Sequence, residues 1–423
     1  MKKLFRILKN PYLLSVITKI LLVLLGFFYS VCQSRFLGAA LKGDVAYLTS
    51  VTTITSIVFG CGIHQAYPYF KKKTGRDMTP QFMKLAVGML FVYLILAALL
   101  SFLLKADLSL SAILFMTPCF VYHKIVAYIS MVENPNKKHL TELYANVLEL
   151  LLVIVLWLTV PPTLLIGVLI YVVKDLFLAG VYSWRLRSAL RKPESLTAAQ
   201  VSEILKFGLF PMLVLLMSTL NYRVDIIMLK SHVSSAEVGV YSVGVMLAER
   251  VWMIPDAMKE VMISNLAKGK GAEELGFVVR VCNSSCLFVV LAIVALGKPF
   301  IHLFFGSEYS GAYSVTVVIL IGVIFMIYYK MIAAYNIVHG KQKENFFYLV
   351  ISVICNIFAN LLLIPRYGNI GAAMASILSY AVSAFLFTRR FILETNTKIT
   401  DLLLINREDL NRFRSALKAK QKK

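Results

Sequence analysis

Six cations lie inside long apolar stretches of this 423-residue chain: Lys19, Lys124, Lys174, Arg223, Arg250 and Lys330. Three carboxylates, Glu149, Asp225 and Glu249, lie in the same kind of surroundings. A charge in hydrocarbon costs about 2.5–3.5 kcal/mol on insertion scales, so such groups face protein or water rather than lipid. Arginine grips a phosphate bidentately and lysine acts on it as a point charge. The six cations therefore predict a wet, basic surface suited to an anion such as a phosphate or diphosphate. A buried acid titrates or binds cations, which makes Asp225, Glu249 and Glu149 ion-coupling candidates. A plainer reading stands beside this one. Lys174/Asp175, Arg223/Asp225 and Glu249/Arg250 could be structural ion pairs, although adjacent helical residues point in different directions. Lys19, Lys174 and Lys330 could also snorkel to an interface.

Other chemistries find little support. There is no GxxxxGK[ST] loop, no HExxH, no nucleophile elbow and no large extramembrane loop to hold a catalytic site. The expectation is a protein that is not an enzyme, with no cofactor beyond an H+ or Na+ gradient. The six cysteines, Cys32, Cys61, Cys119, Cys282, Cys286 and Cys355, form no CxxC pair and read as buried apolar residues, so no metal site is expected. Glu142 and Glu149 lie two helical turns apart and suit ion coupling or helix contacts better than acid–base work. His64 could serve as a proton-linked switch, against the blander reading of a packed or surface histidine.

These side chains must be positioned by helices that span a membrane. The chain is 59% hydrophobic, with a mean hydropathy of +0.76. Twelve apolar runs are long enough to cross, at about 11–36, 44–70, 82–104, 108–131, 141–160, 163–184, 207–230, 238–264, 275–297, 312–338, 344–365 and 368–391. The side shared by the N-terminus carries 32 Lys and Arg, and the other side 6. That asymmetry places both termini in the cytoplasm. The net charge of +22 is therefore topological, with attraction to anionic membrane lipids as a supplement, and nucleic acid is not an expected partner.

The organisation expected is an N-lobe over 1–184, a cytoplasmic amphipathic linker over 185–206, a C-lobe over 207–391 and a basic cytoplasmic tail over 392–423. In the tail, Leu403, Leu410, Phe413 and Leu417 would lie along one side of a membrane-surface helix. The central stretch, Phe207 to Lys230, sets Ser218, Asn221, Tyr222 and Asp225 on one helix face, which needs a polar partner. Glu142, Asn146 and Glu149 form a second stripe, Ser242, Glu249 and Asp256 a third, and Ser352, Asn356 and Asn360 a fourth. The Asn stripe reads best as hydrogen bonding between helices. Pro118 and Pro255 should bend or break their helices. The joins SRFLGAALKGDVAYLTSV and MLKSHVSSAEVGVYSVGV suggest duplicated halves, as in transporters whose substrate site lies at the repeat interface.

From Lys298 onward the chain resembles the polysaccharide-exporter branch of the multidrug/oligosaccharidyl-lipid/polysaccharide flippase superfamily. The likeness rests on Phe305, Gly306 and Tyr309; Gly340, Lys341 and Lys343; Asn356 and Asn360; and Ile364, Pro365, Gly368, Gly371, Ala372 and Ala373. The opening Val238, Gly239, Val240, Tyr241 and the SRFLG turn also fit. The resemblance implies an all-α membrane fold like that of multidrug (MATE) exporters, with two six-helix lobes around a central cavity. It implies a flippase that moves polyprenyl-pyrophosphate-linked oligosaccharide repeat units, of O-antigen or capsule type, across a bacterial inner membrane by ion-coupled alternating access. Other polysaccharide-assembly proteins would be its partners. Twelve spans depart from the fourteen of the lipid II flippases. Two rivals are weighed against this: a multidrug/cation antiporter of the same fold, and a membrane-embedded glycan polymerase or transferase.

Overall fold

The computed structural model describes residues 11–133, 135–267, 271–407 and 409; of these, the side chains of 11–20, 135–139, 267 and 272 are not described. The described chain is all-α. In order the helices are α1 (Pro11–Gly60), α2 (Ile63–Thr74), α3 (Thr79–Leu103), α4 (Leu108–Glu133), α5 (Pro135–Thr159), α6 (Leu164–Arg185) and the single turn α7 (Arg187–Leu190). They continue with α8 (Ala198–Leu229), α9 (Ser235–Glu249), α10 (Met253–Ala267), α11 (Ala272–Phe305), α12 (Ala312–Val338) and α13 (Gln342–Thr395).

Helices lie over all twelve expected ranges once breaks are counted, and among the described residues nine helices are long and apolar enough to cross a membrane. α1 is two spans joined at Gly38 and α13 two spans joined at Gly368, each glycine sitting at positive φ (69° and 53°) where an L side chain is strained. The span expected over 238–264 is α9 and α10, separated by a 3-10 turn at Arg250–Trp252. Pro255 accounts for that break. It has no N–H to give Val251, four residues back, and its ring crowds that carbonyl. The Val251 carbonyl is met instead by the Cys286 thiol at 4.0 Å. α9 opens with a capping box: the Ser234 backbone N–H donates to Glu237 (3.1 Å), and the Glu237 N–H donates to the Ser234 hydroxyl (3.3 Å).

The chain divides into two compact units, residues 1–216 with 234–239, and residues 217–233 with 240–423. Within the first unit, Tyr67, Phe82, Met83, Ile125, Ile129 and Tyr182 build a close-packed core near the helix ends. A second cluster gathers Phe36, Val45, Val153 and Ile170 around the kink of α1. Backbones approach closely where the sequence supplies glycine. A Cβ on Gly62 would lie 2.1 Å from the Gly208 carbonyl oxygen, and one on Gly239 would lie 2.0 Å from that of Ala39. Gly43 and Gly239, one in each of the two similar joins, face one another across this crossing. The second unit is built around α12, whose buried residues run from Ala312 to Asn336. Outward faces carry Phe91, Ile95, Phe102, Leu158, Phe288 and Leu303, apolar residues left exposed as a lipid-facing surface requires.

The central helix begins at Ala198, so residues 198–206 of the expected linker are helical. The described part of the expected tail is residues 392–407 and 409. It turns at Asn396 (φ 54°), forms a 3-10 turn at Ile399–Leu402 and docks onto α11 and α12. Asn283 donates to the carbonyls of Leu402 (3.0 Å) and Leu403 (2.9 Å), Tyr328 donates to Leu402 (3.2 Å), and Leu402 is fully buried. Arg280 grips Asp409 with two bonds of 2.6 and 2.7 Å. The backbone carbonyls at the end of this 3-10 turn need donors, and Asn283 and Tyr328 supply them. Leu410, Phe413 and Leu417 lie outside the described residues.

Candidate functional site

In the second unit the polar face of α8 finds its partner. Asn221 and Asp225, one turn apart, are both buried. Asp225 accepts bonds from the Tyr241 hydroxyl, from Ser376 (3.2 Å) and from the Ile226 backbone N–H (2.8 Å). Asn221 accepts from Ser379, which also donates to the Ser352 carbonyl at 3.0 Å. Ser383 donates to the Ser352 hydroxyl at 2.6 Å. The two halves of α13 are thus joined to each other and to α8 through hydroxyls. Asn360 donates to Asn356 at 2.8 Å, within its own helix.

Arg223 sits on the same helix but points elsewhere. Its guanidinium meets Glu249 on α9 at 3.2 Å. Lys330 of α12 meets Asp256 of α10 at 2.9 Å, and Asp256 also receives Lys259 at 3.2 Å. The Lys330 ammonium lies 4.7 Å from the ring centroid of Trp252. Trp252, Tyr222 and Tyr380 form an aromatic triangle with centroid distances of 5.2, 6.2 and 6.0 Å. Trp252 of the triangle carries Lys330, and Tyr222 precedes Arg223 in the sequence. Arg250 begins the 3-10 turn, is half-buried, and makes no ion pair among the described residues.

The first unit holds a separate polar cluster. Lys174 of α6 bonds Glu149 (2.6 Å) and Asn146 (3.1 Å) of α5, and its ammonium lies 5.9 Å from the Tyr29 ring centroid. Asp175 pairs with His123 of α4 at 2.7 Å. Lys124 donates to Ser56 at 2.7 Å. Lys42, placed by sequence in an outer loop, is buried and donates to Gln33 at 2.5 Å. His64 meets Tyr128 edge-on at 5.5 Å. The side chain of Lys19 lies outside the described residues.

None of the neighbour pairs Lys174/Asp175, Arg223/Asp225 and Glu249/Arg250 forms an ion pair. Each charge whose partner is described reaches to another helix, because successive residues diverge by about 100° around a helix axis. The cations are therefore not a bare basic lining: Lys174, Arg223 and Lys330 each carry a carboxylate, and Lys124 a hydroxyl. Sequence reading did not find His123, Trp252, Ser376 or Ser379 as site residues. Only Ser376 and Ser379 left a trace, as hydroxyls three apart in an otherwise apolar run. Among the described residues, no group of His, Cys, Asp and Glu is arranged to hold a metal ion.

Comparison with known proteins places the family and the fold. The profile of a family described as "Polysaccharide biosynthesis protein" matches residues 7–254, more than half of the chain. A solved structure of the lipid II flippase MurJ in an inward closed conformation aligns with a TM-score of 0.73 at 16% identity, over 92% of this chain and 89% of that one. An inward-facing multidrug resistance MATE transporter aligns with a TM-score of 0.65 at 14% identity, over 88% and 96%. Among curated proteins, an uncharacterized membrane protein of Methanocaldococcus jannaschii, MJ1375, is 24% identical over 165 residues. That match takes in 38% of this chain and only 39% of the relative's length.

Proposed function

Because the chain belongs to the polysaccharide biosynthesis protein family, we propose that it is a flippase for a polyprenyl-pyrophosphate-linked oligosaccharide, carrying it from the cytoplasmic to the outer leaflet of a bacterial inner membrane. Both termini then lie in the cytoplasm, in keeping with the loop charge asymmetry. The fold shared with flippases and MATE exporters supports transport, and the in-span cations support an anionic cargo.

The observation that carries the reading is the pairing, within one unit, of Arg223 with Glu249 and of Lys330 with Asp256. A cation held by a carboxylate is available to a phosphate only when the carboxylate is neutralised. Protonating Glu249, or letting it bind a cation, releases Arg223 for bidentate contact with the diphosphate. The same exchange at Asp256 releases Lys330. Ion binding and substrate binding are then linked by competition for the same cations, which is what ion-coupled alternating access requires. Asp225, held by Tyr241 and Ser376, is a third coupling candidate, and Glu149 with Lys174 a fourth. Arg250 and Lys124, which carry no carboxylate among the described residues, add positive potential; Lys19 is assigned the same role from sequence alone. Chemistry on the cargo is not part of this function, and other polysaccharide-assembly proteins would supply and consume it.

A deletion strain tests the reading. Lipid-linked repeat units should accumulate facing the cytoplasm, and wild-type protein should restore surface glycan. A strain with normal glycan but raised sensitivity to cationic drugs would assign the chain to the antiporter reading instead.

A further inference from the structure

A cavity of about 690 Å³ opens at one end of the first unit, and none of the in-span charges described above lines it. It is walled by the end of α2, the turn that follows, the end of α4, and the end of α6 with α7. Its size falls in the range of small-molecule sites, about 300–1,000 Å³. Five cations line it, Lys71, Lys72, Arg76, Arg185 and Lys192, against two carboxylates, Asp77 and Glu133, an excess of three positive charges. All five belong to the loops that the charge asymmetry assigns to the cytoplasm. A loop that is basic for topology alone has no reason to wall a cavity from three helix ends.

The walls are built rather than splayed. Gly75, at φ 64°, closes α2 by donating its N–H to the Lys71 carbonyl at 3.1 Å, which turns the chain so that Arg76 and Asp77 line the cavity. Lys71 is fixed by Glu133 at 2.5 Å, and Glu133 also accepts the Tyr67 hydroxyl. Arg185 is steadied by Thr141 at 2.6 Å, and Lys192 by Asp77 at 3.1 Å. Lys72 and Arg76 form no ion pair among the described residues. Partial burial pushes the Asp77 carboxyl up, but hydrogen bonds from Thr79 and Lys192 outweigh it and hold the group below its usual range, so it counts as an anion at neutral pH. The excess of three therefore stands.

We infer that this cavity is a binding site for a diphosphate group. A single phosphate monoester carries about −1.5 to −2, less than the cavity's excess, whereas two joined phosphoryl groups match it. The group could arrive on a membrane lipid or on a soluble molecule, and the chemistry recognised is the same. The site is distinct from the ion pairs of the proposed transport route, and its occupancy is measured at equilibrium without transport, so a failure of one reading leaves the other intact.

The test is calorimetric titration of inorganic pyrophosphate into the full-length protein in neutral-lipid nanodiscs. Wild type should bind, and added salt should weaken binding, because exposed charges are screened. The exposed pair Lys72→Glu with Arg76→Glu should weaken it about tenfold or more, as loss of two charge contacts implies, and Lys72→Ala with Arg76→Ala should weaken it less. Lys343→Glu with Lys398→Glu, equal in charge change but outside the cavity, should leave it unaltered. Displacement of pyrophosphate by a prenyl diphosphate in the bilayer would identify a lipid source; binding without displacement would identify a soluble one. No binding by wild type, or equal weakening by the two charge-reversed variants, overturns the inference.

Discussion

The ion pair of Lys174 and those of Arg223 and Lys330 differ in how open their carboxylates are. In the first, the Glu149 carboxylate is sealed, its side chain 1% exposed, and it is paired with Lys174, which is 27% exposed. In the second, Arg223 and Glu249 are both partly open, at 35% and 19%, and Asp256 is 45% open while Lys330 is 12%. A sealed carboxylate that loses its cation is left as an uncompensated buried charge. An open pair that loses one member is rescued by water. The first arrangement suits a lock within the unit, and the second suits exchange with an arriving ion or phosphate.

The comparison breaks first at Lys174. Lys174→Met should cost about 3–5 kcal/mol, the usual penalty for orphaning a buried ion-pair partner, read as loss of folded protein by fluorescence-detected chromatography after heating. Adding Glu149→Gln should recover most of that loss, and failure to recover would show that Lys174 acts through packing instead. Arg223→Ala should leave stability within about 1 kcal/mol, as exposed pairs do. Lys330→Met is expected to have the smallest effect on folding, because Asp256 keeps Lys259 and the new side chain still packs on Trp252. A drop with Lys330→Met as large as that with Lys174→Met would erase the distinction between the units.

Much of this was legible in the sequence. Hydropathy and loop charge gave the spans, and helical spacing gave the face of α8 that carries Asn221 and Asp225. Pro255 marked a break that falls just ahead of it. Partner identity was not legible. Arg223 and Glu249, or His123 and Asp175, sit on different helices, and which ones meet depends on helix rotation and packing rather than on any local pattern. Lys42 looked like a loop residue because the chain kinks at Gly38 without leaving the helix bundle. The tail showed amphipathic spacing, but spacing did not reveal that Asn283 of α11 and Tyr328 of α12 hold the Leu402 carbonyl.

The central claim is that one arginine serves both the coupling ion and the cargo. Uptake of a lipid-linked diphosphate oligosaccharide into proteoliposomes, driven by an ion gradient, tests it with Arg223→Ala and Glu249→Gln side by side. Arg223→Ala should stop transport in folded protein, while Glu249→Gln should still bind cargo yet no longer respond to the gradient. Normal gradient-driven transport by Arg223→Ala would contradict the account.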